Sequence, residues 1–355
     1  MRITKKGALL IFLGFQIISI NILKYYPEFI EQYYSNGLYI FLSKLMRYTF
    51  GWLPFSVGDI LYTFAGIYLI RWFILNLKNI YKNTVNWFLD ITALLSIAYF
   101  AFHLLWGFNY YRLPLYESMG LKADYTNEEL LSFTKKLIEK SNTIHEKLVI
   151  NDTIKVVLPY SKKDVFNKVK YGYTELSKQY PHLDYNPQSL KKSIYSVPLT
   201  YMGFSGYLNP FTNEAQVDGL IPVFKFPTTS CHEIAHQLGY AAENEANFIG
   251  MLATVNNDDL YFKYSGYTFA LRYCLIEIYK LDPEKYNTIL ESINLGIRKN
   301  YQEIQDFWQS YQNAFEPVFE KTFDSFLKAN NQSKGIKSYS YIVALLVNYY
   351  NNNPL

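Results

Sequence analysis

Thr228-Thr229-Ser230-Cys231-His232-Glu233-Ile234-Ala235-His236-Gln237-Leu238-Gly239-Tyr240-Ala241-Ala242-Glu243-Asn244-Glu245-Ala246-Asn247-Phe248 sets His-Glu-x-x-His directly before a run of carboxylates. Residues four apart on a helix lie one above the other, so His232 and His236 can aim both imidazoles at one metal ion. Glu233 lies about 100° round the helix from His232, within reach of a metal-bound water without being a ligand itself. Two imidazoles and a carboxylate, with a fourth position left for water, suit Zn2+. Two of the five histidines in the chain make up this pair. Ile234, Ala235 and Leu238 give the helix an apolar back to pack on. Both features count against a core helix that merely carries histidines.

The third ligand requires a turn in the chain. On an unbroken helix Glu243 would stand about 10 Å beyond His236, at 1.5 Å per residue, too far for a glutamate to reach a shared metal. Gly239 is where the helix is expected to end, because glycine accepts the left-handed conformation of a helix C-cap. A second helix then begins near Glu243, with Glu243 and Asn247 on one face and Glu245 pointing elsewhere. Glu243 is the expected ligand, Asn247 its supporting neighbour, and Glu245 the competing choice.

His232-Glu233-x-x-His236 followed by Glu243-x-x-Ala246-Asn247 resembles the zinc metallopeptidases of the gluzincin type, whose second helix carries Glu-x-x-Ala-Asp or Glu-x-x-Ala-Asn. With its hydrophobic N-terminal segments and Tyr201-Met202-Gly203-Phe204-Ser205-Gly206, the whole chain resembles a bacterial family of membrane-anchored, metallopeptidase-like proteins of unknown function. The resemblance runs nearly end to end and implies a zincin-like fold and a zinc ion, but no substrate. The interval between the second histidine and the glutamate is shorter than in most Glu-x-x-Ala-Asp relatives, which keeps Glu245 in play.

The 355 residues are half hydrophobic and 19% aromatic, with 35 tyrosines, too long and too unevenly apolar for one ordinary soluble domain. The net charge of +4 is mild and its lysines are scattered, so nucleic acid is not an expected partner. Cys231 and Cys274 are the only cysteines; they read as small buried residues rather than as a disulfide framework. Three stretches, 7–23, 57–77 and 87–106, are expected to cross a bilayer. Residues 38–50 carry Lys44 and Arg47 and suit a helix lying at the membrane surface. Asp90 and His103, near the ends of the third span, are read as groups reached by interfacial water. Basic residues at Arg2, Lys5, Lys6, Lys78 and Lys82 place those turns in the cytoplasm. Residues 107–355 then form an extracytoplasmic domain of a cytoplasmic (inner) membrane protein.

That domain reads as mainly α with a small β-sheet. Helices are expected at 127–148, 162–180, 258–281, 284–297, 299–330 and 338–350. A β-favouring run falls at 192–197, and two strands in 207–217 flank the turn Pro210-Phe211-Thr212-Asn213. The hairpin precedes the histidine helix, so it is the candidate edge along which a peptide could lie as an extra strand. Zinc would polarise the scissile carbonyl and acidify its water, and Glu233 would act as general base. Tyr201, Tyr207, Tyr240 and Arg272 are candidates to bind substrate or face the developing oxyanion. The expected activity is a zinc-dependent metallopeptidase acting on a peptide or protein. The alternative from another class is a zinc-stabilised membrane scaffold or binding protein, which would have no use for Glu233.

Overall fold

The computed structural model describes residues 4–335 and 341–355. The chain is mainly helical, with one three-stranded sheet. It begins with helix α1 (Lys5–Leu23), capped by the Thr4 hydroxyl. A nine-residue π-helical run, Ile30–Leu38, feeds directly into α2 (Tyr39–Phe50). Next come α3 (Val57–Asn76) and α4 (Thr84–Leu105). Helices α1, α3 and α4 are long and apolar enough to cross a membrane, matching the three expected spans. The protein is therefore membrane-associated. Helices α1 and α4 pack together, with Gln16 of α1 donating to the Ser96 hydroxyl of α4 at 3.1 Å. By contrast, α3 buries only Gly58 and Asp59.

Two amphipathic helices follow, α5 (Asn127–Leu148) and α6 (Lys162–Gln179), each started by a capping box, Thr126 with Glu129 and Ser161 with Asp164. The sheet comprises β1 (Leu190–Lys192), β2 (Gly206–Asn209) and β3 (Glu214–Val217) in the order β1-β3-β2. β1 runs parallel to β3, and β2 antiparallel with Gly206 opposite Val217. The histidine helix is α7 (Phe226–Gln237), followed by α8 (Glu243–Val255) and α9 (Leu260–Leu281). Every residue of α8 except Asn244 is buried. It is the hub of the main core, in which α6, α7, α9 and the last helix pack around it. The chain ends with α10 (Pro283–Glu291), α11 (Leu295–Ser310), α12 (Glu316–Ala329) and α13 (Ile342–Asn352).

A second, smaller core lies where the N-terminal segments meet the sheet and the turn after α7. It gathers Ile20, Ile30, Tyr34, Tyr39, Trp106, Tyr111, Leu208 and Ala241. The boundary expected at 106/107 thus runs through a shared core.

Several expectations need correction. The strand at 192–197 is shorter and earlier, because Ser193 leaves the sheet and Ser196–Tyr201 forms a short helix. The stretch 299–330 is two helices, broken where the Asn313 side chain caps the backbone of Phe315 ahead of Pro317. Arg47 is buried, not solvated at a membrane surface: it donates to the Pro187 carbonyl at 3.0 Å and lies over the Tyr185 ring. His103 is also buried, with Tyr99, Phe102, Phe108 and Tyr111 about it and Nδ1 at 2.9 Å from the Tyr99 carbonyl. Asp90 is partly exposed and pairs with Lys6. Cys231 and Cys274 are buried and unpaired. Arg2 and the expected helical start at 338–340 lie outside the described residues.

Candidate metal centre

Helix α7 ends between the histidine pair and Glu243. Gly239 adopts φ +95°, and the Tyr240 N–H returns to the Ala235 carbonyl at 3.1 Å, closing the last turn in the manner of a glycine C-cap. The chain reverses, and Glu243 enters at the first turn of α8, where the helix dipole favours a carboxylate. The two helices approach so closely that a Cβ on Gly250 of α8 would stand 2.7 Å from the His232 backbone nitrogen. Only glycine permits that contact.

This packing brings three donor atoms together. Glu243 Oε2 lies 3.3 Å from His232 Nε2 and 3.5 Å from His236 Nε2, and the two imidazole rings stand edge to face at 4.6 Å. Four ligands held tetrahedrally at the usual Zn–N and Zn–O lengths are about 3.3–3.4 Å apart. The observed separations match that edge. Glu243 Oε2 forms no hydrogen bond with any group among the described residues, although it is buried between two imidazoles. It stands within ion-pair distance of both rings. The electrostatics agree. Burial raises the Glu243 carboxyl, but the two imidazoles outweigh it and hold the group well below the usual carboxylate range. Burial lowers His236, but the Glu243 carboxylate overrides it and pushes it up to about 9. The pocket is built to hold a positive charge.

The other ring nitrogen of His236 is fixed as a ligand's should be. Nδ1 donates to the Tyr240 carbonyl at 2.7 Å, leaving Nε2 free to bind a cation. His232 Nδ1 has no such partner among the described residues.

Glu233 lies beside the histidine pair and also against Gly206. His232, Glu233 and His236 offer ligand atoms within 4.8 Å of one another, so Glu233 could enter a metal's shell on distance alone. Glu243 offers an oxygen within 3.5 Å of both rings. Burial pushes the Glu233 carboxyl up to about 8, with His236 and Lys225 opposing and Glu243 reinforcing. Its Oε2 has no hydrogen-bond partner among the described residues. Its Oε1 rests against Gly206, where a Cβ would come within hard contact. The glutamate therefore faces the first residue of β2.

The remaining expected residues separate. Glu245 is instead taken up by the Leu115 N–H, from which it accepts at 2.7 Å. Asn247 reaches the Tyr273 hydroxyl at 3.4 Å. Tyr240 is placed by its carbonyl, on His236, while its ring lies under Arg112 at 4.2 Å. The Tyr207 hydroxyl is committed to Asp59 of α3. Tyr201 is half exposed and edges onto Tyr311. Arg272 lines a small cavity with Lys225 and Tyr301 beside α9. None of these four has a contact that aims its side chain at the histidines.

Sequence reasoning missed Lys225 and Trp106. Lys225, just before α7, donates to the Ser205 hydroxyl at 2.6 Å. Burial, with Arg272 reinforcing, lowers its ammonium to about 7. Trp106, directly after α4, donates to the His236 carbonyl at 3.2 Å. No local pattern marks either residue, because both meet the site through tertiary packing.

The family described as "Protein of unknown function (DUF3810)" matches residues 34–347, and the chain belongs to that family. No curated protein and no solved structure matches the chain.

Proposed function

We propose that this chain is a membrane-anchored, zinc-dependent metallopeptidase of zincin type, with its catalytic domain on the extracytoplasmic side. The observation that carries the reading is a buried Glu243 oxygen at the tetrahedral spacing from two imidazole nitrogens, with a second carboxylate, Glu233, beside them. His232, His236 and Glu243 would hold the ion. Zinc supplies a Lewis acid that polarises the scissile carbonyl and makes a water acidic near neutrality. Glu233 is the group left to take a proton from that water and pass it to the leaving amine. Its raised carboxyl suits a base working near neutral pH.

The sheet supports a peptide as the substrate. The Ser205 carbonyl accepts from the Asp218 N–H, and Gly206 stands opposite Val217. Alternation in an antiparallel ladder then directs the N–H and C=O groups of Gly206 and Leu208 away from β3. β2 is the outer strand of the sheet, so these groups can receive an extended chain as an added strand. Because Gly206 touches Glu233, a chain docked there would pass the proposed base. A zinc-stabilised scaffold would explain the ligands but not a buried glutamate held against an unpaired strand edge.

The test uses the full-length protein in detergent. Wild type should carry one equivalent of zinc and hydrolyse peptide bonds. Glu233→Gln should keep the zinc and lose at least roughly a hundredfold in rate, the usual contribution of a general base. Glu243→Ala should lose the zinc, whereas Glu245→Gln should retain it. Loss of metal with Glu245 instead, or full activity in Glu233→Gln, would overturn the assignment.

A further inference from the structure

We infer that the peptide bonds this site cuts lie in membrane-anchored polypeptides, within a few residues of the bilayer surface. This inference rests on the peptidase reading above. It begins at Trp106, the residue directly after the third candidate span. Its indole donates to the carbonyl of the proposed ligand His236, and the two rings are 6.3 Å apart. Only one side chain separates the donor cluster from the end of a membrane helix.

The domain also reaches down beside the spans. The Tyr195 hydroxyl meets the Thr63 hydroxyl at 2.6 Å, and Tyr207 stacks on Tyr62 at 6.4 Å. Both partners lie in the second turn of α3. Phe326 of α12 packs against Phe102, three residues short of the end of α4. Side chains of the domain therefore sit alongside the domain-side ends of two candidate spans. Phe315, Val318 and Phe326 are exposed on and just before α12, and Ile194 and Val197 on the segment carrying Tyr195. These residues continue the apolar surface of the spans onto the domain.

The proposed substrate edge opens on the same side. Phe323 of α12 touches Phe204, two residues before β2, while Phe326 touches both Phe102 and Tyr110. Helix α12 thus bridges from the approach to β2 across to the end of α4. A chain entering along Gly206 and Leu208 passes between α12 and the spans. A polypeptide already held in the bilayer presents its juxtamembrane residues at this height, whereas a soluble peptide gains nothing from it.

The experiment places full-length protein in phosphatidylcholine vesicles with a random-sequence peptide library. One copy of the library is free in solution. The other is joined to a hydrophobic transmembrane helix through the same random segment, about thirty residues long and able to reach well beyond the site when extended. Cut positions are read by mass spectrometry, with Glu233→Gln as the blank. The expected result is cleavage of the anchored library clustered within roughly five residues of the hydrophobic helix, at about 3.3 Å per extended residue. The free library should be cut at least tenfold more slowly. Cuts spread evenly along the anchored segment, or equal cutting of both libraries, would overturn the inference and leave the peptidase reading standing. Cleavage of neither library would overturn both.

Discussion

At the scale of single residues, the least conspicuous participant is Gly206. A methyl group there would collide with the Glu233 carboxylate and the Gln216 carbonyl, so Gly206→Ala should displace the proposed base without touching a metal ligand. The expected outcome is unchanged zinc content with kcat lowered by roughly a hundredfold, the penalty for a catalytic group misplaced by about 1 Å. A second prediction follows from the Glu233 carboxyl itself, whose value burial raises from 4.5 to about 8. A base must be ionised, so activity is present above its pKa and falls as pH drops through it. The charge of a bound cation pulls that value back down, and the acid limb of the kcat/KM profile should lie between these two limits. A profile with no acid limb between those limits would show that Glu233 is not the base. His232, Glu233, His236 and Glu243 were all legible in the sequence, because their proximity depends only on helical spacing and a single glycine turn. Gly206 and Lys225 were not, since they reach Glu233 through the packing of a sheet and a loop against α7. The tyrosines could not be sorted by sequence at all: Tyr207 is held by Asp59, and Tyr240 contributes a carbonyl rather than its hydroxyl.

At the scale of elements, helix ends are completed by residues far away in the chain. The first turn of α3 is capped by Glu214 of β3, which accepts from the N–H groups of Val57 at 3.1 Å and Gly58 at 2.6 Å. Asp59 in the same turn accepts from the Ser193 hydroxyl at 2.9 Å and the Ile194 N–H at 2.6 Å. The second candidate span is therefore clamped to the sheet at its domain-side end. Glu214→Ala should orphan two buried N–H groups and lower stability by about 2–5 kcal/mol, read as a fall in Tm of the detergent-solubilised protein. Glu214→Gln keeps an acceptor and should cost about 1 kcal/mol. If the two variants melted together, the cap would not be what Glu214 contributes. The existence of the helices was readable from period and capping signals, and Asn127–Leu148 matches its expected limits. What the sequence hid was the partner of each end. Nothing near Glu214 indicates a helix that begins 157 residues earlier, and so β3 read simply as a hairpin strand.

At the scale of the whole molecule, the N-terminal segments are built into the candidate site. The carbonyl end of α7, which carries His236, is closed by its own glycine turn and buttressed from outside by the N-terminal segments and by Arg112 just after them. Trp106 donates to His236, Tyr39 to Gln237 at 3.0 Å, and the Arg112 guanidinium to Gly239 at 3.0 Å. Arg112 is itself held by Glu31 from the segment before α2, at 2.6 Å and part-buried. Composition divides the chain near residue 107, because hydropathy drops there, and that division describes where lipid ends. It does not describe where the fold ends, since Leu208 and Ala241 share a core with Ile20, Ile30, Tyr34 and Tyr39. A fragment beginning at Gly107 would lose the donors from Tyr39 and Trp106 and expose that core, leaving the Gln237 and His236 carbonyls without those partners at the end of α7. Expressed alone, it should bind zinc at least tenfold more weakly than the full chain and expose apolar surface to a hydrophobic dye. Outer contacts that orient a metal's ligands are commonly worth tenfold to a hundredfold in affinity. Supplying residues 4–106 as a separate chain in the same detergent should restore binding, because the contacts are non-covalent. A fragment that folds and binds zinc as tightly as the full chain would show that the spans only tether the domain. The caps on α7 would then be consequences of docking rather than conditions for the site.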